Sequence, residues 1–297
     1  MARIPYVLVD AFAPTPGAGN RVAIVLDARG MSGEEMRQVA KRLSEPETAF
    51  VTERQGNVFA VRFFTPGGEV EFSGHAAVAL GLALVRLGLA PEGSERLILH
   101  TPAEALPVEV AYEAGEPKKA WVRGPTPRFR DLPPFQVLKE VLEALGSDER
   151  YLHRGLPYGV AYTGLWSLFV PLVAPGVVDA LEPDMALLAE VSRRLEVATV
   201  HAYAPMGPRS FYARDFAPLL GIPEDPVTGS ANAALGALLA RAGVVPKREG
   251  RVHLSIYQGH RLGNPGMVEV EVEYSPTGVP LSVRLGGEAA IVATGEL

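Results

Sequence analysis

The feature that most constrains this chain is an internal match. Gly74-His75-Ala76-Ala77-Val78-Ala79-Leu80-Gly81 is answered 155 positions later by Gly229-Ser230-Ala231-Asn232-Ala233-Ala234-Leu235-Gly236. The match continues without a gap through Leu84/Leu239, Arg86/Arg241 and Gly88/Gly243. Upstream, Arg62-x-Phe64-x-Pro66 corresponds to Arg214-x-Phe216-x-Pro218 once a short insertion is allowed. Two ordinary Ala-rich helices would share a few identities; an ordered series in which strand, loop and helix all correspond is the mark of a duplicated supersecondary unit. A chain of 297 residues, 47% of them hydrophobic, has the length and core for two such units.

Each copied helix carries Ala, Leu and Gly on nearly every face, with Arg86 or Arg241 only at its end. A helix that is apolar all round is buried all round, as when a sheet wraps a central helix. Short β-branched or aromatic runs read as strands at Tyr6–Val9, Val22–Leu26, Glu47–Thr52, Val58–Phe64, Leu97–His100, Leu106–Tyr112, Lys119–Arg123, Val268–Tyr274 and Leu281–Leu285. Helical patterns occur at Ser32–Leu43, His75–Leu87, Pro134–Leu145, Asp184–Leu195 and Ala231–Ala242. Strands and helices do not alternate strictly, so the expected class is α+β rather than a doubly wound parallel sheet. The Pro-rich stretch Gly124–Pro134 interrupts regular pairing and reads as a connector, and the last strand is expected to return to the first half. The expected domains are therefore 1–120 plus about 287–297, and 121–286.

Composition removes several functions. A formal charge of -6 without a basic tract argues against a nucleic-acid partner. The absence of cysteine excludes disulfides, thiolate metal sites and cysteine nucleophiles. His100, His153, His201, His253 and His260 show no ligand spacing, so no metal is expected. Gly17-Ala18-Gly19-Asn20 lacks the third glycine of a dinucleotide fingerprint, Glu224–Ala231 lacks the lysine of a phosphate loop, and no Gly-x-Ser-x-Gly elbow occurs. No cofactor is expected. Without a secretory signal or a bilayer-length apolar run, the expected location is cytoplasmic, with no membrane partner.

The residues suited to chemistry gather near the duplicated helix starts. Gly74 and Gly229 bring backbone N–H groups to a helix N-terminus, where unpaired donors and the helix dipole favour an anion, so two opposed starts would make a cleft for a carboxylate. Glu47 opens an otherwise apolar strand; it reads either as an acid/base at a cleft edge or as a surface glutamate at a strand end. His75 is placed either to contact a substrate or to cap its helix. Asp225, Thr228 and Ser230 could all cap the following helix.

Taken together, these segments resemble the PhzF-like family of phenazine-biosynthesis isomerases, related in fold to diaminopimelate epimerase and proline racemase. The likeness spans nearly the whole chain and rests on Gly19-Asn20-Arg21-Val22-Ala23, Glu47-Thr48-Ala49-Phe50-Val51, Phe64-Thr65-Pro66, Gly74-His75-Ala76, Arg214-Asp215-Phe216-Ala217-Pro218, Glu224–Ala231, Gln258-Gly259 and Leu285-Gly286-Gly287. It implies two similar domains, each a curled, mostly antiparallel sheet around a central helix, an active site between them, and a homodimer. It also implies that Glu47 is the acid/base, that His75 and Asp225 assist it, and that Asn20, Gly74, Gly229 and Ser230 bind a small amino-acid-like carboxylate. The related racemases use a cysteine pair, which this chain lacks, so a proton shift between carbons is expected before inversion. A non-thiol epimerase and a catalytically inactive anion-binding protein are the alternatives. Relative to the family's usual residues the sequence departs at Arg21, Asn232 and Asn264, which leaves Glu47 untouched and points to a specificity of its own.

Overall fold

The computed structural model describes residues 4–297. The chain separates into two compact units, one running to Arg123 and taking in Gly286–Leu297, the other Gly124–Leu285.

In the first unit, β1 (Pro5–Ala11) pairs antiparallel with β2 (Asn20–Val25) and with the closing strand β18 (Ala289–Glu296). The chain then crosses through α1 (Gly33–Leu43) to β3 (Glu47–Gln55), which lies parallel to β2. An antiparallel hairpin leads to β4 (Val58–Thr65), and β5 (Gly68–Val70) folds back on it. The second crossover is α2 (Gly74–Arg86), which delivers β6 (Arg96–His100) parallel to β4; β7 (Ala105–Glu113) and β8 (Glu116–Arg123) follow antiparallel. Parallel neighbours need a long connection and antiparallel ones do not, which is why helices occur only at the two parallel steps.

The second unit repeats this plan. β9 (Arg128–Phe129) pairs with β10 (Gly159–Tyr162), which pairs antiparallel with β11 (Trp166–Pro171). α4 (Pro175–Asp179) and α5 (Met185–Leu195) cross to β12 (Thr199–Gly207), parallel to β11. Then come β13 (Ser210–Ala217), β14 (Ile222–Asp225), α6 (Gly229–Ala242), β15 (Arg251–Gln258) parallel to β13, β16 (Gly266–Tyr274) and β17 (Pro280–Gly287). α3 (Phe135–Ala144) precedes β10. The α+β reading, with curled sheets around a central helix, describes both units.

Register makes the duplication exact. Ala49 pairs with Phe63, which pairs with Val70, across β3, β4 and β5. At the corresponding places His201 pairs with Asp215, which pairs with Asp225, across β12, β13 and β14. The Arg and Glu of each copy also pair as a fork: Arg62 Nε and Nη2 donate to Glu69 at 2.7 and 2.6 Å, and Arg214 Nε and Nη2 donate to Glu224 at 2.9 and 2.8 Å.

The central helices are sealed as their composition requires. In α2, Gly74 and Ala76–Leu84 are buried, and in α6 Gly229 and Ala231–Ala240 are buried. Small residues let the sheet approach: a Cβ on Gly81 would lie 2.6 Å from Val108 Cγ1, and one on Gly236 2.6 Å from Val270 Cγ1. Outer helices cover the other sheet face. Met36 and Ala40 of α1 pack on Val25, Phe50 and Phe64, while Leu138 and Val141 of α3 and Leu188 and Val191 of α5 pack over Leu168, Val170 and Val200.

Several expectations need correction. The Pro-rich connector contains a strand, β9, because Phe129 and Arg128 pair with Ala161 and Tyr162 even though prolines flank them. Strands β10 to β13, β15 and β18 carry no run that stood out in the sequence; Thr199–Gly207 in particular mixes Ala, His and Pro, and its strand state comes from pairing on both sides. The two central helices start one to two residues earlier than their sequence patterns, at Gly74 and Gly229, each directly after its N-cap, Ser73 or Thr228.

Gly236→Ala forces a methyl into Val270, and overpacking of this kind costs about 1–3 kcal/mol. Urea unfolding should show that loss, and Gly236→Ala/Val270→Ala should recover part of it; an unchanged midpoint in the single variant would contradict the close approach.

Candidate active site

Glu47 is the first residue of β3, in register with Val22 of β2. Side chains alternate along a strand, so Glu47 shares its face with Ala49 and Val51 and turns away from the face that holds Phe50 against α1. The chain returns to this corner at the start of α2. Ser73 is the N-cap of that helix: its Oγ accepts the Ala76 N–H at 3.2 Å and donates a short hydrogen bond to Glu47 Oε2. The next side chain but one is His75, whose Nδ1 lies 3.3 Å from Ser73 Oγ and whose Nε2 lies 3.5 Å from Glu47 Oε2. Only 12% of the Glu47 side chain and 15% of His75 meet solvent.

Burial determines the charge of His75. Desolvation lowers its pKa from 6.5 to about 4, so the imidazole is neutral at neutral pH. The Ser73 hydroxyl has one proton. With that proton directed to Glu47, the imidazole meets Ser73 as an Nδ1–H donor and presents a bare Nε2 to the same carboxylate. Such a corner suits both states of Glu47: the carboxylate accepts from Ser73, and a protonated Glu47 can donate to His75.

The other predicted residues fall in two places. Asn20 opens β2, buried, with Gly19 before it at φ +68 where a Cβ would collide with the Ala11 carbonyl oxygen at 2.1 Å. Its side chain alternates to the face of Val22, whose register partner is Glu47. Gly74 begins α2 beside Ser73 and His75. Asp225, Gly229 and Ser230 belong to the second unit and form a cluster of their own. There Asp225 ends β14, Gly229 begins α6, and the Ser230 carbonyl accepts a hydrogen bond from buried Thr163 Oγ1 at 2.7 Å. Thr228 Oγ1 contacts Asp225 Oδ2 at 2.6 Å and Asp215 Oδ2 at 3.2 Å, and His201 Nδ1 lies 2.8 Å from Asp215 Oδ1. Gln258 ties the cluster together: Nε2 donates to the Asp225 carbonyl at 2.8 Å, and Oε1 accepts from Thr228 N at 3.1 Å and Asn232 Nδ2 at 2.7 Å.

Ser73, Asp215 and His201 were not singled out as site residues in the sequence. The signal for Ser73 lies in the repeat: the position before each matched glycine carries a hydroxyl, Ser73 in one copy and Thr228 in the other. A depression of about 700 Å³ in the second unit, lined by Arg209, Arg248, Glu249, Arg251, His253 and Glu271, contains none of the candidates. Among the described residues, no group of three or more His, Asp or Glu side chains is arranged to hold a metal ion, and no helix is long and apolar enough to cross a membrane.

Comparison with known proteins follows the same lines. The model of the family described as phenazine biosynthesis-like protein (PhzC-PhzF) matches residues 9–295. An uncharacterized isomerase of Deinococcus radiodurans is 48% identical, with 98% of this chain and 93% of that protein covered. The trans-2,3-dihydro-3-hydroxyanthranilate isomerase of Pseudomonas aeruginosa is 31% identical over 98% of each chain. The crystal structure of a PhzF-family phenazine biosynthesis protein of Bacillus anthracis superposes with a TM-score of 0.90 at 28% identity, covering 100% of this chain and 99% of that one.

The neutral His75 gives stability a pH dependence. Its folded pKa of about 4 is below the unfolded 6.5, so the unfolded state binds the proton first; stability is full above 6.5 and falls as pH drops toward 4, by about 3 kcal/mol for the whole shift. Denaturant midpoints from pH 7 to 4 should fall in the wild type and flatten in His75→Gln. Equal slopes in both proteins would show that another group governs that window.

Proposed function

The chain belongs to the phenazine biosynthesis-like PhzC-PhzF family, and from that membership and the corner at Glu47 we propose a cofactor-independent isomerase that moves a proton between carbons of a small amino-acid-like carboxylate. The observation that carries this reading is the Glu47–Ser73–His75 cluster: a shielded carboxylate, hydrogen-bonded by Ser73, beside a neutral imidazole. Ser73 holds Glu47 through Oε2 and so fixes the orientation of the carboxyl that meets the substrate. Glu47 takes a proton from carbon, and the electron pair left behind delocalises through the substrate's π system. The same carboxyl then returns the proton to a different carbon on the same face, so atoms and charge balance without a second base. Holding the base in place converts the transfer into an intramolecular event, which supports large rate gains. His75 accepts from protonated Glu47 or polarises the substrate, and Asn20, Gly74, Gly229 and Ser230 bind the substrate's polar groups. The first turn of α2 offers backbone donors to a carboxylate.

The named reaction of the Pseudomonas aeruginosa relative, on a dihydro-hydroxyanthranilate, supports the substrate class. The different side chain at Asn232, which donates to Gln258 inside the polar network around Asp225, favours a different member of it. A second reading, a non-thiol epimerase, draws on the second carboxylate, Asp225, at the other helix start. Chiral analysis of turned-over substrate separates the two, because only the epimerase racemises a single stereocentre.

Two variants test the base. In heavy water, with a panel of cyclic and acyclic amino and hydroxy carboxylates, the wild type should place solvent deuterium at carbon in at least one compound. Glu47→Gln should slow that exchange by at least ~10²-fold. Ser73→Ala should lose about 1 kcal/mol of stability with its cap and slow exchange while leaving substrate affinity nearly unchanged. Full exchange in Glu47→Gln would remove Glu47 from the mechanism.

A further inference from the structure

The depression in the second unit is lined by Arg209, Arg248, Glu249, Arg251, His253 and Glu271, and none of the residues of the Glu47 corner or the Asp225 cluster lies in it. Its volume of about 700 Å³ is that of a small-molecule pocket. Like charges gathered in one hollow repel, so three guanidiniums on its walls, in a chain whose net charge is -6, call for a reason.

The first unit shows what the fold itself requires at this corner. The Ser255 N–H donates to the Arg209 carbonyl at 2.9 Å, as the Ile98 N–H donates to the Asn57 carbonyl at 2.9 Å, so Arg209 stands in the place of Asn57. The Arg251 N–H donates to the Arg248 carbonyl at 2.9 Å, as the Ser94 N–H donates to the Pro91 carbonyl at 3.2 Å, and each of these turns passes through a left-handed glycine, Gly250 or Gly93. His253 pairs with Glu271 across the strands as Arg96 pairs with Glu109. The backbone plan is the same in both copies, but the first closes its turn with neutral groups. Ser94 Oγ lies 2.6 Å from the Pro91 carbonyl and 3.2 Å from Asn57 Oδ1, and Asn57 Nδ2 donates to the Arg96 carbonyl at 3.1 Å. Asn57, Pro91 and Ser94 therefore suffice to build the corner, and Arg209, Arg248 and Arg251 are not needed to build it.

The bonds within the hollow leave two of the three arginines available. Glu271, only 2% exposed, lies 3.3 Å from Arg251 Nη1, 2.9 Å from His253 Nε2 and 2.7 Å from Arg284 Nε, and Arg251 Nη2 also meets Glu273 at 2.7 Å. These groups make a compensated wall. Arg209 gives one bond from Nη2 to the Pro246 carbonyl at 3.1 Å, and Arg248 forms no ion pair among the described residues. Arg209 comes from the turn between β12 and β13 and Arg248 from the turn before β15, so the two guanidiniums reach the hollow from different elements. A planar carboxylate is matched by one guanidinium fork, whereas a tetrahedral phosphoryl group presents oxygens in several directions and can be held by two arginines together.

We propose that this depression binds a phosphorylated small molecule, with Arg209 and Arg248 as the phosphate-holding arms and the Arg251–Glu271 wall as their support. The site is built entirely from the second unit and stands independently of the reaction proposed for Glu47. Exposed Glu249, on the same turn as Arg248, opposes the anion and so holds its affinity down.

Titration calorimetry of the full chain with ribose 5-phosphate at low ionic strength tests the site, and malonate, a dianion without a phosphoryl group, is the control. The wild type should bind ribose 5-phosphate saturably and malonate about tenfold more weakly or worse. Arg248→Ala should weaken ribose 5-phosphate about tenfold, and Arg209→Ala/Arg248→Ala should abolish its binding. Glu249→Gln should tighten it. Arg248 and Glu249 are both exposed, so these two single variants read binding without disturbing the core, whatever the double variant does to stability. No saturable binding in the wild type, unchanged affinity in Arg248→Ala, weaker binding in Glu249→Gln, or malonate bound as tightly as ribose 5-phosphate each overturns the proposal.

Discussion

Everything in this protein follows from wrapping a sheet around a helix that has no solvent face. A helix in that position has little water at its start to satisfy the first backbone N–H groups. The residues preceding each helix must therefore supply polar partners, and those partners must themselves be satisfied. In α2 the solution is Ser73, which caps Ala76 and rests on Glu47. In α6 it is the Gln258 side chain, which accepts the Thr228 N–H and frees the Thr228 hydroxyl for the two aspartates. Structural need and chemical opportunity coincide at these ends: the same hydroxyls that serve the helix start also hold a carboxyl in place.

Duplication supplied two such ends, and divergence divided their work. The fold-bearing features remain common: the Arg–Glu fork, the glycine pressed against a valine, the sequence of parallel and antiparallel steps. The chemistry-bearing positions differ. Where Glu47 stands on β3, β12 has Thr199, whose hydroxyl is spent on Ser167 at 2.8 Å; where β4 and β5 have Phe63 and Val70, β13 and β14 have Asp215 and Asp225. One copy of a repeat thus serves as a control for the other. A polar residue in one copy opposite an apolar residue in its mate is not demanded by the architecture.

The sequence made the helices and the repeat legible because both are local or self-referential signals. Apolarity on all faces of residues 74–86 and 229–242 announces burial without reference to anything else. Strands β10 to β13 were illegible for the opposite reason: their partners lie on neighbouring strands, and Ala, His, Arg and Pro take extended form there because pairing outweighs a weak intrinsic preference. The same asymmetry governs the site. Glu47 and His75 stood out through their motifs, and the structure does bring them within 3.5 Å. Asp215 and His201, fourteen residues apart, looked unremarkable because only antiparallel register makes them neighbours.

Register also sorts the departures from the family pattern. Arg21 is the cross-strand partner of buried Asp10 and donates to it through Nε at 2.5 Å, while Asp10 also accepts the Gly17 N–H at 2.7 Å. Alternation puts Arg21 on the face opposite Asn20 and Val22, so its guanidinium braces the turn between β1 and β2 rather than meeting the Glu47 corner. Asn232 is different. It lies one turn into α6 and donates to the same Gln258 oxygen that receives the Thr228 N–H. A change there reaches Asp225 through a single shared amide, because turning Gln258 would break its Nε2 bonds to the Asp225 carbonyl and to Thr228 together. Of these two departures it is the one at 232, inside the polar network, that has the physical means to alter how the second carboxylate is presented.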